Sequence, residues 1–255
     1  GQGTRMRIAR RYSRLDRSPY DGFRFRVVPG IRAGGGGLPV GIQVPASWSL
    51  EAGEALARNC LRSHGIPTRL RPVAEDDVPG WLWRRTDDDV ALAKLSRAQR
   101  FGAEIDSRRL FDRVAGAWTY QGWLCGYFDA EADARAFFDE IRVMLCRQIA
   151  VPDAAQLRHA GLYWAYGIET GGQGACITDY RTGVVTRAAD GHLPPHGAYI
   201  QGVTGGIAGD GGVMDLWQRE ARLLADGVGT AANVSHIGGS DAVAGLIDQL
   251  KVGDA

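Results

Sequence analysis

The histidines and cysteines of this chain are the side chains best suited to metal binding or nucleophilic catalysis, and they are widely spaced. The histidines form neither an HExxH nor an HxH pattern, and no CxxC pair occurs. A structural zinc site uses ligands in paired short spacings, so the sequence predicts no metal site. The GxSxG and GxxxxGK[ST] patterns are also absent from the sequence, which argues against a serine hydrolase or a P-loop enzyme. The five histidines are His64, His159, His192, His196 and His236.

The four cysteines are predicted to be reduced thiols of a cytoplasmic protein, since no secretory signal is expected. Cys60 falls on the apolar stripe of a predicted helix, and Cys146 neighbours a second stripe, so we interpret both as small packed hydrophobes. A new active site assembled from Cys176, Asp179 and His196 is the weakest alternative, because only proximity in sequence supports it.

Two glycine-rich stretches are candidates for binding an anion. Residues 171–174 lack the GxGxxG spacing and a strand–helix frame, so they do not predict a dinucleotide site. Residues 227–233 could cradle an anion with backbone N–H groups, but a glycine that ends a helix explains the same residues. Both interpretations of residues 227–233 stay open.

The composition is that of an ordinary globular protein, with 45% hydrophobic residues, 23% charged residues and a net charge of +1. A charge this balanced does not predict nucleic acid or an anionic membrane as partner. No stretch approaches the about 18 apolar residues of a membrane helix. We expect residues 1–5 to be a non-native remnant ahead of Met6 and expect no signal peptide.

The helices and strands that would position these residues can be predicted from the periodicity of apolar residues and from helix-capping residues. Alternating residues at 23–28 predict a strand within an extended segment, residues 6–45. Ser49 predicts the start of a helix that ends at Gly65 and Pro67. A second helix is predicted from Asp129 to Pro152; its apolar stripe is Phe138, Ile141, Leu145 and Ile149.

In the C-terminal part, residues 198–203 predict a short strand. Asp210 predicts the cap of a helix that is closed by Gly227. The helix carries an apolar seam, and we name as interface candidates Leu216, Trp217, Leu223 and Leu224. A last short helix is predicted from Ser240.

Several longer stretches, in order along the chain, resemble one family. They begin with residues 6–12 and 18–20 near the start of the chain. They include the tryptophan-containing residues 77–84 and 118–123, and residues 127–140. They continue through residues 164–167, 200–203, 211–217 and 219–223. Together they resemble the N-terminal portion of adenosylcobalamin (vitamin B12)-dependent, class II ribonucleotide reductases.

The resemblance implies an α+β fold: a mainly helical N-terminal region, then the first strands and helices of a reductase-like α/β barrel, which is incomplete here. The corresponding divisions are the extended segment 6–45, a helical region at 46–167 and a partial barrel-like segment at 168–255. The chain ends at Ala255, before the family's finger loop, so we expect no counterpart of the radical cysteine.

The resemblance also implies site residues, and several are replaced. Ala198 stands where the family has its first redox cysteine, so no catalytic residue is expected. Ala154 stands where the family's substrate segment has a residue with a hydroxyl group. Gly205 replaces an acidic residue of the effector site, and Gly238 replaces an arginine. The vestigial nucleotide-binding residues that remain are Gly229, Thr230, Asn233 and Ser235.

We therefore expect a divergent paralogue that has lost the reaction and acts as a non-enzymatic binding or assembly module, a homo-oligomer or the partner of another protein. The strand at 198–203 would have an open edge available for pairing. The alternative is a reductase component that works with a separate chain or retains nucleotide or cobalamin binding. No cofactor is expected from the residues themselves; adenosylcobalamin or a nucleotide follows from the resemblance alone.

Overall fold

A computed structural model of the chain describes residues 5–30, 40–169, 176–178, 185–187, 198–203, 206–207, 210–225 and 229–233. Contacts divide the chain into two units, Gly1–Thr170 and Gly171–Ala255. We call them the N-terminal unit and the C-terminal unit. No helix among the described residues is both long and apolar enough to cross a bilayer.

The N-terminal unit combines helices with short antiparallel strand pairs. Strand β1 pairs with β2, β3 with β6, and β4 with β5. The elements in chain order are β1 (Phe25–Gly30), β2 (Val40–Pro45), α1 (Leu50–Asn59), β3 (Ile66–Pro67), β4 (Leu70–Pro72), a 3₁₀ turn (Gly80–Leu82), β5 (Arg85–Asp87), α2 (Asp89–Ala93), α3 (Arg97–Arg100), β6 (Phe101–Gly102), α4 (Ser107–Leu124), α5 (Glu131–Cys146), α6 (Ala154–His159) and α7 (Leu162–Tyr166).

Local side chains fix where the helices begin. The Ser49 hydroxyl accepts a hydrogen bond from the backbone N–H of Ala52, and the Asp106 carboxylate accepts from the N–H of Arg108. The Asp133 carboxylate reaches back to the N–H of Ala130 at the start of α5. Each bond satisfies a helix N–H that has no partner within the helix.

One apolar core joins the β1–β2 pair to α1, α4, α5 and α6. It includes Val44, Leu56 and Phe111, each at most 5% exposed. The indole N–H of Trp48 donates to the carbonyl of Cys146, 2.7 Å away, so this ring is anchored without an unsatisfied polar atom.

The C-terminal unit contains β7 (Cys176–Thr178), β8 (Val185–Arg187), β9 (Ala198–Gly202), α8 (Val213–Ala225) and β10 (Gly229–Asn233). Strands β7 and β8 are antiparallel, whereas β9 and β10 are parallel with α8 between them in the chain. Neighbouring parallel strands require such a crossover, because a tight turn reverses the chain and would make the two strands antiparallel. The apolar residues Val203, Val213 and Leu216 form its buried cluster.

The predicted mixed α+β composition is confirmed, and the strands of the described residues form only two-stranded sheets, without a barrel. Three predicted helix boundaries are wrong. Helix α1 ends at Asn59, six residues before Gly65, and α5 ends at Cys146, where Gln148 adopts φ +57°. Helix α8 begins at Val213 instead of directly after Asp210, because Gly211 has φ +75°, outside helical geometry. The helix predicted from Ser240 lies outside the described residues.

Candidate functional site

The structure brings several of the predicted site residues together on one strand pair. Ala198 opens β9 and lies opposite Gly229 in the parallel register, while Asn233 lies opposite Gly202. Four further positions that the sequence singled out are outside the described residues: Gly205, Ser235, Gly238 and His196. Asp179 is outside them too.

Residues 229–233, the described part of this glycine-rich stretch, form an extended strand. Successive N–H groups of a strand point to opposite sides, so they do not converge on one anion as they do in a glycine nest. Gly227, on which the competing helix-end interpretation rests, lies outside the described residues.

The Thr230 hydroxyl is engaged by its neighbours. It accepts a hydrogen bond from the side-chain amide of Gln201, at 2.8 Å, and lies 3.4 Å from a carboxylate oxygen of Glu220. Gln201 is fully buried and accepts in turn from Nε of Arg219. The charge of Arg219 is compensated by Asp215, four residues earlier on α8 and 2.8 Å away.

The four interface candidates divide between two faces of α8. Leu216 and Leu223 are 4% and 2% exposed and pack inside the C-terminal unit. Trp217 and Leu224 are 45% and 62% exposed. Met214 and Ala221 are exposed as well and share their side of the helix, because residues three and four apart align along a helix.

The substrate segment suggested by the resemblance starts α6. The Asp153 carboxylate accepts hydrogen bonds from the N–H groups of Ala155 and Gln156, so it serves as the helix cap. Ala154 is the first residue of α6 and has no hydroxyl or charge to offer a ligand.

Two of the three cysteines of the N-terminal unit, Cys60 and Cys146, are packed hydrophobes as the sequence predicted. Cys60 and Cys146 are buried in the apolar core, and Cys125 is exposed. Burial raises the pKa of the Cys60 thiol, and it raises that of Cys146 to about 12. A thiol that stays protonated at neutral pH is a poor nucleophile, so both are structural. Cys176 lies in β7. No cluster of three metal-ligating side chains occurs among the described residues.

Sequence reasoning missed a buried polar network at the centre of the N-terminal unit. Arg113 is fully buried; its guanidinium donates to Glu104 at 2.7 Å and to the carbonyls of Cys60, Leu157 and Ala160. The Tyr166 hydroxyl also donates to Glu104, at 2.9 Å. Burial, followed by the charge of Glu104, raises the pKa of Tyr166 far above its usual value. Tyr166 is therefore a hydrogen-bond donor and no acid at neutral pH.

Next to this network is a cavity of about 720 Å³, formed by α4, α5, α7 and the short strands β3 to β6. Arginines and aromatic rings dominate its walls. They come from positions between 66 and 166, and no local spacing in the sequence reveals that they meet. The lining arginines are Arg69, Arg85, Arg109, Arg113 and Arg142.

Comparison with known proteins supports the resemblance. A family model for class II vitamin B12-dependent ribonucleotide reductase matches residues 40–148. The vitamin B12-dependent ribonucleotide reductases of Bradyrhizobium diazoefficiens and Agrobacterium fabrum are each 41% identical over 262 residues, covering 98% of this chain and 21% of the relative. The chain thus resembles an N-terminal portion of these enzymes and spans about a fifth of their length.

Proposed function

We propose that this chain is a catalytically degenerate, non-enzymatic assembly module built on the N-terminal fold of class II ribonucleotide reductases. The observation that carries the proposal is Ala198, which stands where the resemblance implies the first redox cysteine. An alanine can neither form nor reduce a disulfide, so the strand that would start thiol chemistry has no thiol at that position. This loss is internal to the chain and independent of where the chain ends.

The polar contacts of β9 and β10 support the same conclusion. The hydroxyl of Thr230 lies beside the Glu220 carboxylate and accepts from Gln201, so its neighbours already occupy it. A carboxylate at this place repels a phosphate, and Arg219, which donates to Gln201, is already paired with Asp215. The residues of the predicted nucleotide site thus favour a self-contained scaffold.

The exposed side of α8 supplies the assembly surface, and the partner we assign to it is a second copy of this chain. The resemblance implies that this helix corresponds to one through which reductase subunits pair. Met214, Trp217 and Leu224 expose apolar surface at helical spacing, and a two-fold dimer would bury the same side on both copies. Tryptophan at the centre of such a patch is typical of residues that dominate binding energy.

Light scattering on the purified chain tests the dimer. We expect twice the chain mass of 27.5 kDa at micromolar concentration, and a monomer for the double variant Trp217→Glu/Leu224→Glu, because two buried charges oppose pairing. The matched control is Leu15→Glu, at an 82% exposed leucine of the N-terminal unit, which should stay dimeric. A wild-type monomer under these conditions contradicts the assembly surface.

The second candidate is a reductase component that works in trans, with adenosylcobalamin as the cofactor that the relatives' names imply. The 41% identity along 98% of the chain favours it, since the scaffold is retained throughout. The cavity of the N-terminal unit does not fit a corrinoid, because about 720 Å³ suits a drug-sized ligand and a corrinoid is larger.

A complementation assay separates the two candidates. The Agrobacterium fabrum reductase lacking the portion that this chain matches would be mixed with this chain and, as positive control, with its own missing portion. We expect deoxyribonucleotide formation with the control alone. Turnover with this chain would establish the trans component and reject the degenerate module.

A further inference from the structure

A second and smaller cavity of the N-terminal unit lies between α1, α4, α5 and α6, and we call it the apolar pocket. Its volume is about 240 Å³. Core residues form part of its wall: Leu56, Phe111 and Leu157 are each at most 7% exposed. Protein interiors are normally packed as densely as organic crystals, so a void of this size deprives the atoms that line it of contacts on one side. A molecule that filled the pocket would restore those contacts.

The wall of the apolar pocket is neutral. None of the described residues that line it is acidic, basic or a histidine. Its polar side chains are the amides of Asn59 and Gln148 and the thiol of Cys60, whose pKa is raised by burial, so the thiol stays uncharged. The indole N–H of Trp48, a fourth polar group, already donates to the carbonyl of Cys146. A charged ligand would lose its hydration here without gaining an ion pair, which argues against phosphates and carboxylates.

Water is a poor occupant of this pocket. A buried water molecule makes about three hydrogen bonds, but the two amides belong to exposed residues, at the end of α1 and just beyond α5. They therefore lie at the mouth of the pocket, whereas the deeper wall of Leu56, Phe111 and Leu145 offers water no partner. Replacing such weakly held water by an apolar group gains affinity.

The volume and the rings of the wall indicate the size and shape of the occupant. An apolar cavity of about 150 Å³ accepts benzene, and drug-sized ligands occupy pockets of about 300–1,000 Å³. The apolar pocket lies between these limits. The rings of Trp48 and Phe111 both line it, with their centres 5.9 Å apart and their planes tilted by 48°. Such rings favour a further aromatic ring in a tilted or offset arrangement.

We propose that the apolar pocket binds one compact, uncharged aromatic compound of about nine or ten non-hydrogen atoms, a ligand of the indole or naphthalene class. The pocket shares Pro152 and Ala154 with the segment that the resemblance relates to substrate, but its neutral wall does not suit a diphosphate. The site goes beyond the proposed assembly function and does not rest on it, since α8 contributes nothing to its wall.

Calorimetric titration of the full chain with indole tests the proposal. We expect saturable binding of one indole per chain, with a dissociation constant of about 0.1 mM, which lies within the usual binding energy per atom of a small ligand. Ala52→Leu should weaken this binding at least about tenfold, because Ala52 is partly buried on α1, lines the pocket, and a larger side chain there takes up the space that the ring needs.

Ala91→Leu is the matched control. Ala91 and Ala52 are both partly buried, and each donates its backbone N–H to the residue that caps its helix, Asp88 for α2 and Ser49 for α1. Ala91 does not line the pocket, so indole affinity should stay within about twofold of wild type. If circular dichroism showed that Ala52→Leu does not fold, Ala55→Leu would give the same test from an exposed position three residues later in the wall.

Two further ligands test the chemistry of the pocket. Adenine is a ring system of similar size with polar atoms around its edge, and indole-5-carboxylate adds a negative charge to indole. Each should bind at least about tenfold more weakly than indole, because the wall leaves those polar or charged groups without partners. No saturation at millimolar indole, an adenine affinity equal to that of indole, or a loss in Ala52→Leu no larger than that in Ala91→Leu would each overturn the proposal.

Discussion

The two units of the chain use buried polar side chains in different ways. In the N-terminal unit, Arg113 of α4, paired with Glu104, joins that helix to backbone carbonyls of two other segments, Cys60 at the end of α1 and Leu157 and Ala160 of α6. In the C-terminal unit, Gln201 donates to Thr230, a predicted nucleotide-binding residue, and accepts from Arg219. Thr230 is held by hydrogen bonds within its own unit, whereas the arginine-lined cavity belongs to the N-terminal unit. Residue type alone therefore does not show whether a polar side chain serves packing or binding.

The largest effect is expected when the network of the N-terminal unit is broken. Arg113→Met leaves the Glu104 carboxylate buried without its cation, which should lower the free energy of unfolding by about 3–5 kcal/mol. Urea unfolding followed by tryptophan fluorescence and circular dichroism measures this. We expect such a loss of stability because the network of Arg113 and Glu104 holds three segments of the N-terminal unit together.

Two further variants sharpen the test of Arg113. Glu104→Gln added to Arg113→Met removes the buried charge, so the double variant should unfold at higher urea than the single one. Arg7→Gln breaks an ion pair with Asp129 at the surface and should leave the urea midpoint unchanged. If Arg113→Met behaved like Arg7→Gln, the network would have no structural role.

The sequence predicted those structural features that residues adjacent in the chain determine. The cap at Ser49, the strand around residues 25–28 and the strand at 198–202 were predicted because neighbouring residues determine them. Helix α4 was missed, because Arg113 interrupts its apolar face. That arginine can be buried because Glu104 and backbone carbonyls distant in sequence accept its hydrogen bonds.

The candidate sites show the same limit. The resemblance marked Ala198, Gly229 and Asn233 as site positions without relating them in space, and the β9–β10 pairing brings them onto one strand pair. The cavity could not be predicted, because its arginines and rings come from strands and helices up to about a hundred residues apart. The periodicity and spacing of residues in the sequence predict single helices and strands. This cavity instead depends on how several helices and strands pack against one another.

A second test concerns the attachment of the N-terminal segment to α5. The Glu140 carboxylate accepts from the N–H groups of Tyr12 and Ser13 and from the Ser13 hydroxyl. Burial opposes the charge, but these hydrogen bonds outweigh it and lower the pKa of Glu140. Glu140→Gln should therefore cost about 1–3 kcal/mol at pH 7.

The pH dependence of this cost has a definite sign. A carboxyl whose pKa is lowered by folding adds stability above its unfolded pKa of about 4.3, and the contribution is lost as the pH falls through the folded value. The difference between wild type and Glu140→Gln should shrink between pH 5 and about pH 3, whereas Glu54→Gln on α1 should show little difference at any pH. A Glu140→Gln cost that is equal at pH 3 and pH 7 would contradict the assignment.

The smallest effect is expected in the C-terminal unit, and it tests whether Thr230 is a packing residue. Thr230→Val leaves the buried amide of Gln201 without its acceptor, which should lower the free energy of unfolding by about 1 kcal/mol. Thr230→Ser keeps the hydroxyl and should retain most of the stability. If Thr230→Val instead left stability unchanged, the hydroxyl would not be needed for packing, and the contrast between the two units would fail at this residue.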